Sequence, residues 1–230
     1  MKIFAIADLH LSFSVDKPMD VFGEHWKKHD EKMEIHWNQL VSEDDIILIP
    51  GDISWAMNLE DAMVDLEWIK KLPGKKIISK GNHDYWWASV NKMNKLYDNI
   101  QFLYNNYYRV GDTAICGTRG WVCPNDAMFT EHDQKIYDRE AIRLRYSLEM
   151  AKKDGFEDYI VMLHYPPTND KKESSLFTEI IEEYNVKKVV YGHLHSAQCF
   201  AFSLNGMING TEYSLVSCDA LDFKVKNISG

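Results

Sequence analysis

The stretch KIISKGNHD, residues 76–84, joins a short apolar run to a turn and three polar side chains. Taken alone it is ambiguous, because Gly–Asn is ordinary turn chemistry and Asp is an ordinary helix cap. The rest of the chain repeats the design, since several apolar runs rich in β-forming residues lead into polar side chains. These runs cover residues 2–7, 45–50, 75–80, 112–118, 158–165 and 186–192. Each run predicts a buried strand.

The segments between these runs carry helical periodicity. One predicted helix begins after Asn58 and ends before Pro73, and a long one lies between Thr130 and Gly155. A third covers residues 174–184. Because strand and helix alternate up to the last of these runs, the sequence predicts an α/β domain with largely parallel strands in its first part.

The C-terminal tail has a different pattern. Asn–Gly pairs at 205–206 and 209–210 separate apolar runs, which is typical of hairpins and antiparallel strands. The chain shows no internal repeat, low-complexity tract or linker rich in Pro, Gly or Ser. We therefore expect a single domain that spans residues 1–230.

The composition is that of an ordinary globular protein. Of the 230 residues, 45% are hydrophobic and 27% are charged, so the chain can bury a sizeable core. The formal net charge is -9. This acidity disfavours a protein that holds nucleic acid by broad neutralisation of phosphates. Small anionic substrates remain compatible with it if local cations offset the field.

The cysteines and the N-terminus bear on location. The chain has four cysteines, Cys116, Cys123, Cys199 and Cys218. They form no CxxC pair and no zinc-ribbon spacing, which predicts buried or free thiols in a reducing compartment. Asp8 and His10 interrupt the N-terminal apolar run, and no run approaches the roughly 18 apolar residues of a membrane span. We expect a cytoplasmic protein without a membrane span.

Polar side chains collect where five of the predicted strands end. They are Asp8 and His10, Asp52, the run Asn82, His83 and Asp84, then His164, and finally His193 and His195. Open α/β sheets place their sites at this carboxyl edge. A single Asp or His at a strand end is usually a cap or a satisfied polar residue. A whole cluster of carboxylates and imidazoles would be repelled or desolvated without a cation, so the set predicts a metal centre.

The ligand types limit which ions fit. Two carboxylates, one amide oxygen and four imidazoles suit first-row ions such as Mn, Fe or Zn. Seven ligands are too many for one open catalytic ion but suffice for two ions if Asp52, on a central strand, bridges them. Two such ions can activate a water and neutralise a phosphoryl group, which predicts hydrolysis of a phosphate ester.

The motifs DLH, GD, GNHD, HYP and GHLH, in this order from Asp8 to His195, resemble those of the calcineurin-like metallophosphoesterase superfamily. The resemblance implies a four-layer αββα sandwich of two mixed sheets flanked by helices, in the α/β (α+β) class. It implies one ion on Asp8, His10, Asp52 and His195, and a second on Asp52, Asn82, His164 and His193. It also implies that His83 faces the scissile phosphate while Asp84 holds its ring, which makes them the catalytic pair.

One motif departs from a branch of that superfamily. In the protein Ser/Thr phosphatases, GD continues into Asp-Arg-Gly and GNHD reads GNHE, whereas here the chain reads GDISWAM. The phosphate-holding arginine is absent from that place, so a phosphohydrolase of another branch is expected. Arg119 in GTRGW is a candidate for phosphate contact; a surface or ion-paired arginine is the alternative.

Two further features bear on specificity. Four tryptophans follow the site motifs, Trp55, Trp86, Trp87 and Trp121. They predict either an aromatic wall beside the substrate or, for at least two of them, core packing. The segment 12–44 is long for a strand connection, and we expect it to cover the site.

The hypothesis is thus a two-metal hydrolase of a small phosphomonoester or phosphodiester. The alternatives are a nuclease, which the acidic charge disfavours, and a non-catalytic scaffold on the same fold, which the filled ligand positions and His83 disfavour.

Overall fold

The computed structural model describes residues 1–125 and 128–229. Its strands are β1 (Ile3–Ala5), β2 (Ile46–Pro50), β3 (Lys75–Ser79), β4 (Ile100–Leu103), β5 (Tyr108–Val110), β6 (Thr113–Thr118), β7 (Asp158–Leu163), β8 (Lys188–Tyr191), β9 (Gly206–Ile208), β10 (Thr211–Leu215) and β11 (Lys226–Asn227). Its α-helices are α1 (His29–Leu40), α2 (Leu59–Lys71), α3 (Val90–Met93), α4 (Glu131–Lys153), α5 (Leu176–Glu183) and α6 (Ala197–Phe202). Two 3₁₀ helices, Met19–Phe22 and Glu24–Trp26, precede α1. None of the helices in the described residues combines the length and the hydrophobicity of a membrane span.

The strands form two mixed sheets. The first has the order β11-β1-β2-β3-β4, in which β1 to β4 are parallel and β11 is antiparallel to β1. The second has the order β5-β6-β7-β8-β10-β9, with β6, β7, β8 and β10 parallel and both edge strands antiparallel. The apolar runs predict the interior strands because those strands are buried on both faces.

Alternate residues of each strand enter different cores. In β2, Ile47 and Ile49 pack into a core shared with α1 and α2, while Leu48 enters the core between the sheets. In β7, Met162 enters that same central core, whereas Val161 packs on the outer face with α4 and α5. Three apolar layers therefore separate four layers of secondary structure, and the fold is the predicted αββα sandwich.

Side-chain caps define the helices that the sequence predicts. The Asn58 side chain accepts a hydrogen bond from Asp61 N and begins α2. Thr130 and Asp133 form a capping box at the start of α4. These local signals are readable in sequence because the capping atom is only three residues from its partner.

The tail is only partly as predicted. Asn209 and Gly210, both with positive φ, turn β9 back into β10 as a hairpin. The pair at 205–206 makes no second hairpin, since Gly206 already belongs to β9 and helix α6 precedes it. The short edge strands β4 and β5 were not predicted, because their apolar runs are brief and interrupted by polar residues.

The two sheets meet beyond the carboxyl ends of their strands. Ala7 N donates to Val216 O at 2.7 Å, and Cys218 N donates to Ala7 O at 2.9 Å. This bridge ties the continuation of β1 to that of β10. The loops after strands of both sheets are thereby brought to one edge of the sandwich.

Candidate metal centre

The loops at this edge bring all of the predicted ligands together. The first sheet supplies Asp8 and His10 after β1, Asp52 after β2 and Asn82 after β3. The second sheet supplies His164 after β7, and His193 and His195 after β8. The site therefore lies across the junction of the two sheets.

One group of ligand atoms gathers around Asp8. Ligand atoms of Asp8, His10 and His195 all lie within 4.8 Å of one another. The Nε2 atoms of His10 and His195 are 3.3 Å apart. Two imidazole nitrogens this close beside a carboxylate form a pocket of cation size.

A second group gathers around Asn82. Its Oδ1 lies 2.6 Å from His164 Nε2 and 2.9 Å from His193 Nδ1. Ligand atoms of Asp8, Asp52 and His164 also lie within 4.8 Å of one another. The Oδ2 atom of Asp52 stands between the two groups, 3.8 Å from His10 Nε2 and 3.5 Å from His164 Nε2.

Hydrogen bonds at the outer ring nitrogens set the tautomers of two histidines. His164 Nδ1 lies 3.0 Å from Pro50 O, and His195 Nδ1 lies 3.0 Å from Asp219 Oδ1. Because both partners are acceptors, each Nδ1 carries the proton and each Nε2 presents a lone pair to the centre. The lone pairs of His164 Nε2 and Asn82 Oδ1 then face each other, and a shared cation removes their repulsion.

Burial shifts the pKa values of several ligands toward uncharged forms; in His195 burial is outweighed by the hydrogen bond to Asp219 and the charge of Asp8, and its pKa is raised. Burial, reinforced by the charge of Asp52, raises the pKa of Asp8 to about 8 even though His195 opposes the shift. Burial likewise raises the pKa of Asp52 and lowers the pKa of His164 to about 3. A cation would restore the charge of both carboxylates, so the donor set fits metal ions of the Mn, Fe or Zn type.

Four of the ligands have a strained backbone. Asp8, His10, Asp52 and His193 have φ values of 59°, 45°, 53° and 72°. Residues other than glycine rarely adopt this left-handed backbone conformation. Where they do, the strained residues are often found at functional sites. The strained turns aim successive side chains at one point.

Two glycines leave the room that the carboxylates occupy. A Cβ on Gly81 would lie 2.1 Å from Asp52 Oδ1, and a Cβ on Gly192 would lie 2.5 Å from Asp8 Oδ2. Any side chain at either position would displace a carboxylate. These glycines therefore belong to the site although they offer no ligand.

His83 lies beside the ligands and lines the same cavity as His10, Asp52 and His195. Its ring centroid is 4.4 Å from that of Trp55 and 5.7 Å from that of His10. Its backbone N–H donates to Asp52 Oδ1 at 2.9 Å. The half-buried ring is thus placed at the open side of the cluster.

Asp84 does not hold that ring as the sequence analysis expected. Its carboxylate accepts hydrogen bonds from Asp52 N, Ile53 N, Ser54 N, Gly81 N and Trp86 Nε1. Both oxygens are fully used by these donors, and the residue is completely buried. Asp84 instead fastens the turn that carries Asn82 and His83 to the turn that carries Asp52.

Arg119 lies outside this cavity lining. Its Nη2 is 3.8 Å from Glu140 Oε1, and its guanidinium stacks 4.6 Å from the Trp121 ring. These contacts correspond to the ion-paired alternative. Substrate contact by Arg119 stays a prediction.

The tryptophans divide between both expected roles. Trp55 stacks on His10 with centroids 4.9 Å apart. Trp86 is buried in the core and Trp87 packs against the same core. Trp121 packs against the core of the second sheet and donates to Asp133.

Sequence reasoning missed two parts of the site. Asp219 follows β10 and binds His195, but a lone aspartate in SCDALD carries no distinctive signal. Met19, Phe22 and Trp26, from the expected covering segment 12–44, line the cavity next to Trp55. Their places were not readable because the segment before α1 has no regular hydrophobic period.

Comparisons with known proteins agree with this geometry. The sequence model of the calcineurin-like phosphoesterase family matches residues 1–197. The gene 66 protein of Mycobacterium phage L5 is 31% identical over 78 residues, 34% of this chain and 37% of that protein. The chain thus matches little more than a third of that relative's length.

Two solved structures share the fold. A phosphopantetheinyl hydrolase from Mycobacterium tuberculosis superposes with a TM-score of 0.60 at 14% identity, covering 99% of this chain and 95% of that one. A protein of unknown function from Aquifex aeolicus gives 0.54 at 16% identity, covering 98% and 95%. At these identities the likeness establishes the fold alone.

Proposed function

The chain belongs to the calcineurin-like phosphoesterase family, and from this premise we propose that it hydrolyses a small phosphomonoester or phosphodiester at a two-metal centre. The observation that carries the proposal is the convergence of two ligand groups with Asp52 Oδ2 between them, 3.8 Å from His10 and 3.5 Å from His164. A site for a single ion would use only one of these two groups of ligands.

The ligand assignment follows the two groups. Asp8, His10, Asp52 and His195 would hold one ion, and Asp52, Asn82, His164 and His193 would hold the other. When bound, ions of this type lower the pKa of a coordinated water and offset the charge of a phosphoryl group. The absence of thiolates from both groups favours Mn, Fe or Zn held by nitrogen and oxygen.

The protein's own side chains complete the site. We assign His83 to the substrate, where its ring would hold a phosphoryl oxygen or donate a proton to the leaving oxygen. Contact with the Trp55 ring restricts the orientation of His83, a role that the sequence analysis gave to Asp84. We propose Asp84 as a positioning residue that fixes the loop of His83 relative to the loop of Asp52.

Cysteine usage supports a cytoplasmic location for this activity. All four cysteines are free, and Cys116, Cys123 and Cys218 are buried. Thiols in this state suit a reducing compartment.

The direct test combines metal content with turnover. Protein loaded with Mn should bind about two ions and hydrolyse p-nitrophenyl phosphate or bis-p-nitrophenyl phosphate. The Asp52→Asn variant should bind fewer than two ions per chain. The His83→Ala variant should bind both ions, but its kcat should fall by at least about a hundredfold. His132→Ala, which removes an exposed histidine of α4, is the matched control and should behave as the parent. Loaded protein that turns over neither ester would contradict the proposal.

A further inference from the structure

The cavity over the metal-ligand cluster has two kinds of lining. The polar lining consists of ligands of the cluster together with His25, His83, Ser196 and Asp219. The apolar lining consists of Met19, Phe22, Trp26 and Trp55, and the cavity volume is about 310 Å³. This volume is at the low end for ligand pockets, so it suits a phosphoryl group with one modest substituent.

The apolar lining is a built wall rather than a loose surface. Trp55 Nε1 donates to Met19 Sδ at 3.3 Å, which uses the only donor of that indole. Trp26 is 3% exposed and packs edge-on against Phe223 at 5.3 Å. The same Trp26 ring lies 5.6 Å from His195. The wall is therefore continuous with the core on one side and with the ligand cluster on the other.

One member of the wall is exposed. Phe22 ends the first 3₁₀ helix and is 65% exposed, although it lines the cavity. Single exposed apolar side chains are common on protein surfaces, but a ring that lines a cavity gains free energy when a ligand buries it. Its position makes it the side chain that a substrate would bury.

The charges of the lining also select the substrate. Among the described residues that line this cavity, none is Lys or Arg. The acidic ones are Asp52, within the ligand cluster, and Asp219, which binds His195. Beyond the ligand cluster and His83, a second anionic group on the substrate would meet only the imidazole of His25, and it would also face the carboxylate of Asp219.

We infer that the esterified group of the substrate is an uncharged apolar alcohol, aliphatic or aromatic, that packs on Phe22, Trp26 and Trp55. The inference rests on the proposed function, because it places the phosphoryl group at the ligand cluster. It makes Phe22 a specificity-determining residue. Substrates with a second phosphate or a carboxylate are disfavoured at this site.

Calorimetric titration of the Mn-loaded protein with alkylphosphonates tests this without turnover. Ethyl-, butyl- and hexylphosphonate carry the same head group and differ only in apolar length. Because a buried methylene contributes up to about fourfold in affinity, Kd should fall by at least about tenfold from ethyl to hexyl. A hexylphosphonate that bears a terminal carboxylate should lose most of this gain.

Variants of two adjacent residues locate the effect. Phe22→Ala should cut the ratio of the ethyl to the hexyl Kd by at least about threefold. Val21→Ala, on the same 3₁₀ helix and 71% exposed but outside the cavity lining, should keep that ratio. A Kd that does not depend on chain length, or tighter binding of the carboxylate-bearing ligand, would overturn the inference. If the Mn-loaded parent shows the expected dependence of Kd on chain length but hydrolyses neither p-nitrophenyl ester, only the proposed function is contradicted.

Discussion

Asp84 shows how a residue next to a reactive histidine can serve the backbone rather than the ring. The sequence places it directly after His83, and adjacency suggests a catalytic pair. Four backbone N–H groups and one indole N–H surround its oxygens instead. Three of these donors, from Asp52 to Ser54, lie 30 to 32 residues away in sequence, so no local pattern predicts them.

Replacement of Asp84 with Asn should therefore lower stability as well as activity. The NH₂ group of the new amide would face backbone N–H groups that now donate to the carboxylate, and the charge-assisted hydrogen bonds would be lost. The free energy of unfolding should therefore fall by at least about 2 kcal/mol. Urea titration of the metal-free protein measures this. Asp44→Asn changes an exposed carboxylate and should alter it by less than about 0.5 kcal/mol. If Asp84→Asn lowers kcat but leaves the free energy of unfolding unchanged, Asp84 orients His83 rather than holding the two loops together.

Gly81 gives a second prediction for a single residue. A methyl group there would sit 2.1 Å from Asp52 Oδ1, so Gly81→Ala should weaken Mn binding by at least about tenfold through displacement of that carboxylate. Gly155→Ala is the control, since its φ is 88° and nothing lies within 4 Å of the added Cβ. It adds a methyl group without crowding, together with a backbone strain that Gly81→Ala does not have, and should still bind Mn normally. Equal Mn affinity in both variants would contradict the steric account.

The ligand set itself was predictable from sequence because each ligand follows an apolar run. His164 and His193 are 29 residues apart, yet both follow parallel strands whose carboxyl ends lie at the same edge. Because the strands pair in parallel, residues that follow them in sequence lie close together in the fold. Asp219 also follows a strand, but it lies four residues beyond the end of β10 and no motif marks it. Phe22 lacks such a signal, since its position depends on contacts that only the folded chain creates.

At the scale of elements, the junction of α2 and β3 contains a buried amine. Lys76 is completely buried, and its Nζ donates to Leu72 O at the end of α2. Burial lowers the pKa of Lys76 from 10.5 to about 8, although the charge of Glu43 opposes the shift. The amine satisfies a carbonyl that the helix end leaves unpaired.

This shift predicts a dependence of stability on pH. Between pH 8 and 10.5 the unfolded chain binds more protons at Lys76 than the folded protein does, so the folded state gains stability as pH rises through that window. Relative to Lys76→Met, the metal-free parent should gain about 2 kcal/mol in unfolding free energy from pH 8 to pH 10. Lys75→Met, at the exposed neighbouring position, should run parallel to the parent. Parallel curves for the parent and Lys76→Met would contradict the shifted pKa.

The main helices were predictable and the covering segment was not. Helices α2, α4 and α5 carry both a hydrophobic stripe and a capping residue, as in the Ser175 cap of α5. The two 3₁₀ helices at Met19–Phe22 and Glu24–Trp26 are too short to show a period. Their apolar residues could be counted from the sequence, but their approach to the site depends on Trp55 and Phe223.

At the scale of the whole molecule, the ligand cluster joins the two sheets. Asp8, Asp52 and Asn82 follow strands of the first sheet, and His164 and His193 follow strands of the second. The apolar layer between the sheets also draws residues from both. We therefore propose that the chain unfolds as one domain.

Metal should stabilise this unit as a whole. The ions bind the folded centre, and the unfolded chain has no preformed site for them. Mn at a hundred times its Kd should therefore add about 2.7 kcal/mol to the unfolding free energy for each ion bound. Calorimetry should show one transition that shifts upward with Mn and downward with chelator. Two separate transitions, with Mn moving only one, would mean that the sheets are independent units.

Anomalous diffraction from Mn-loaded crystals shows directly whether this cluster holds two ions. We expect two anomalous peaks, one among Asp8, His10 and His195 and the other among Asn82, His164 and His193, with Asp52 between them. Crystals of the Asp52→Asn variant should lose at least one peak. A single peak in the parent, or peaks away from these residues, would contradict the account.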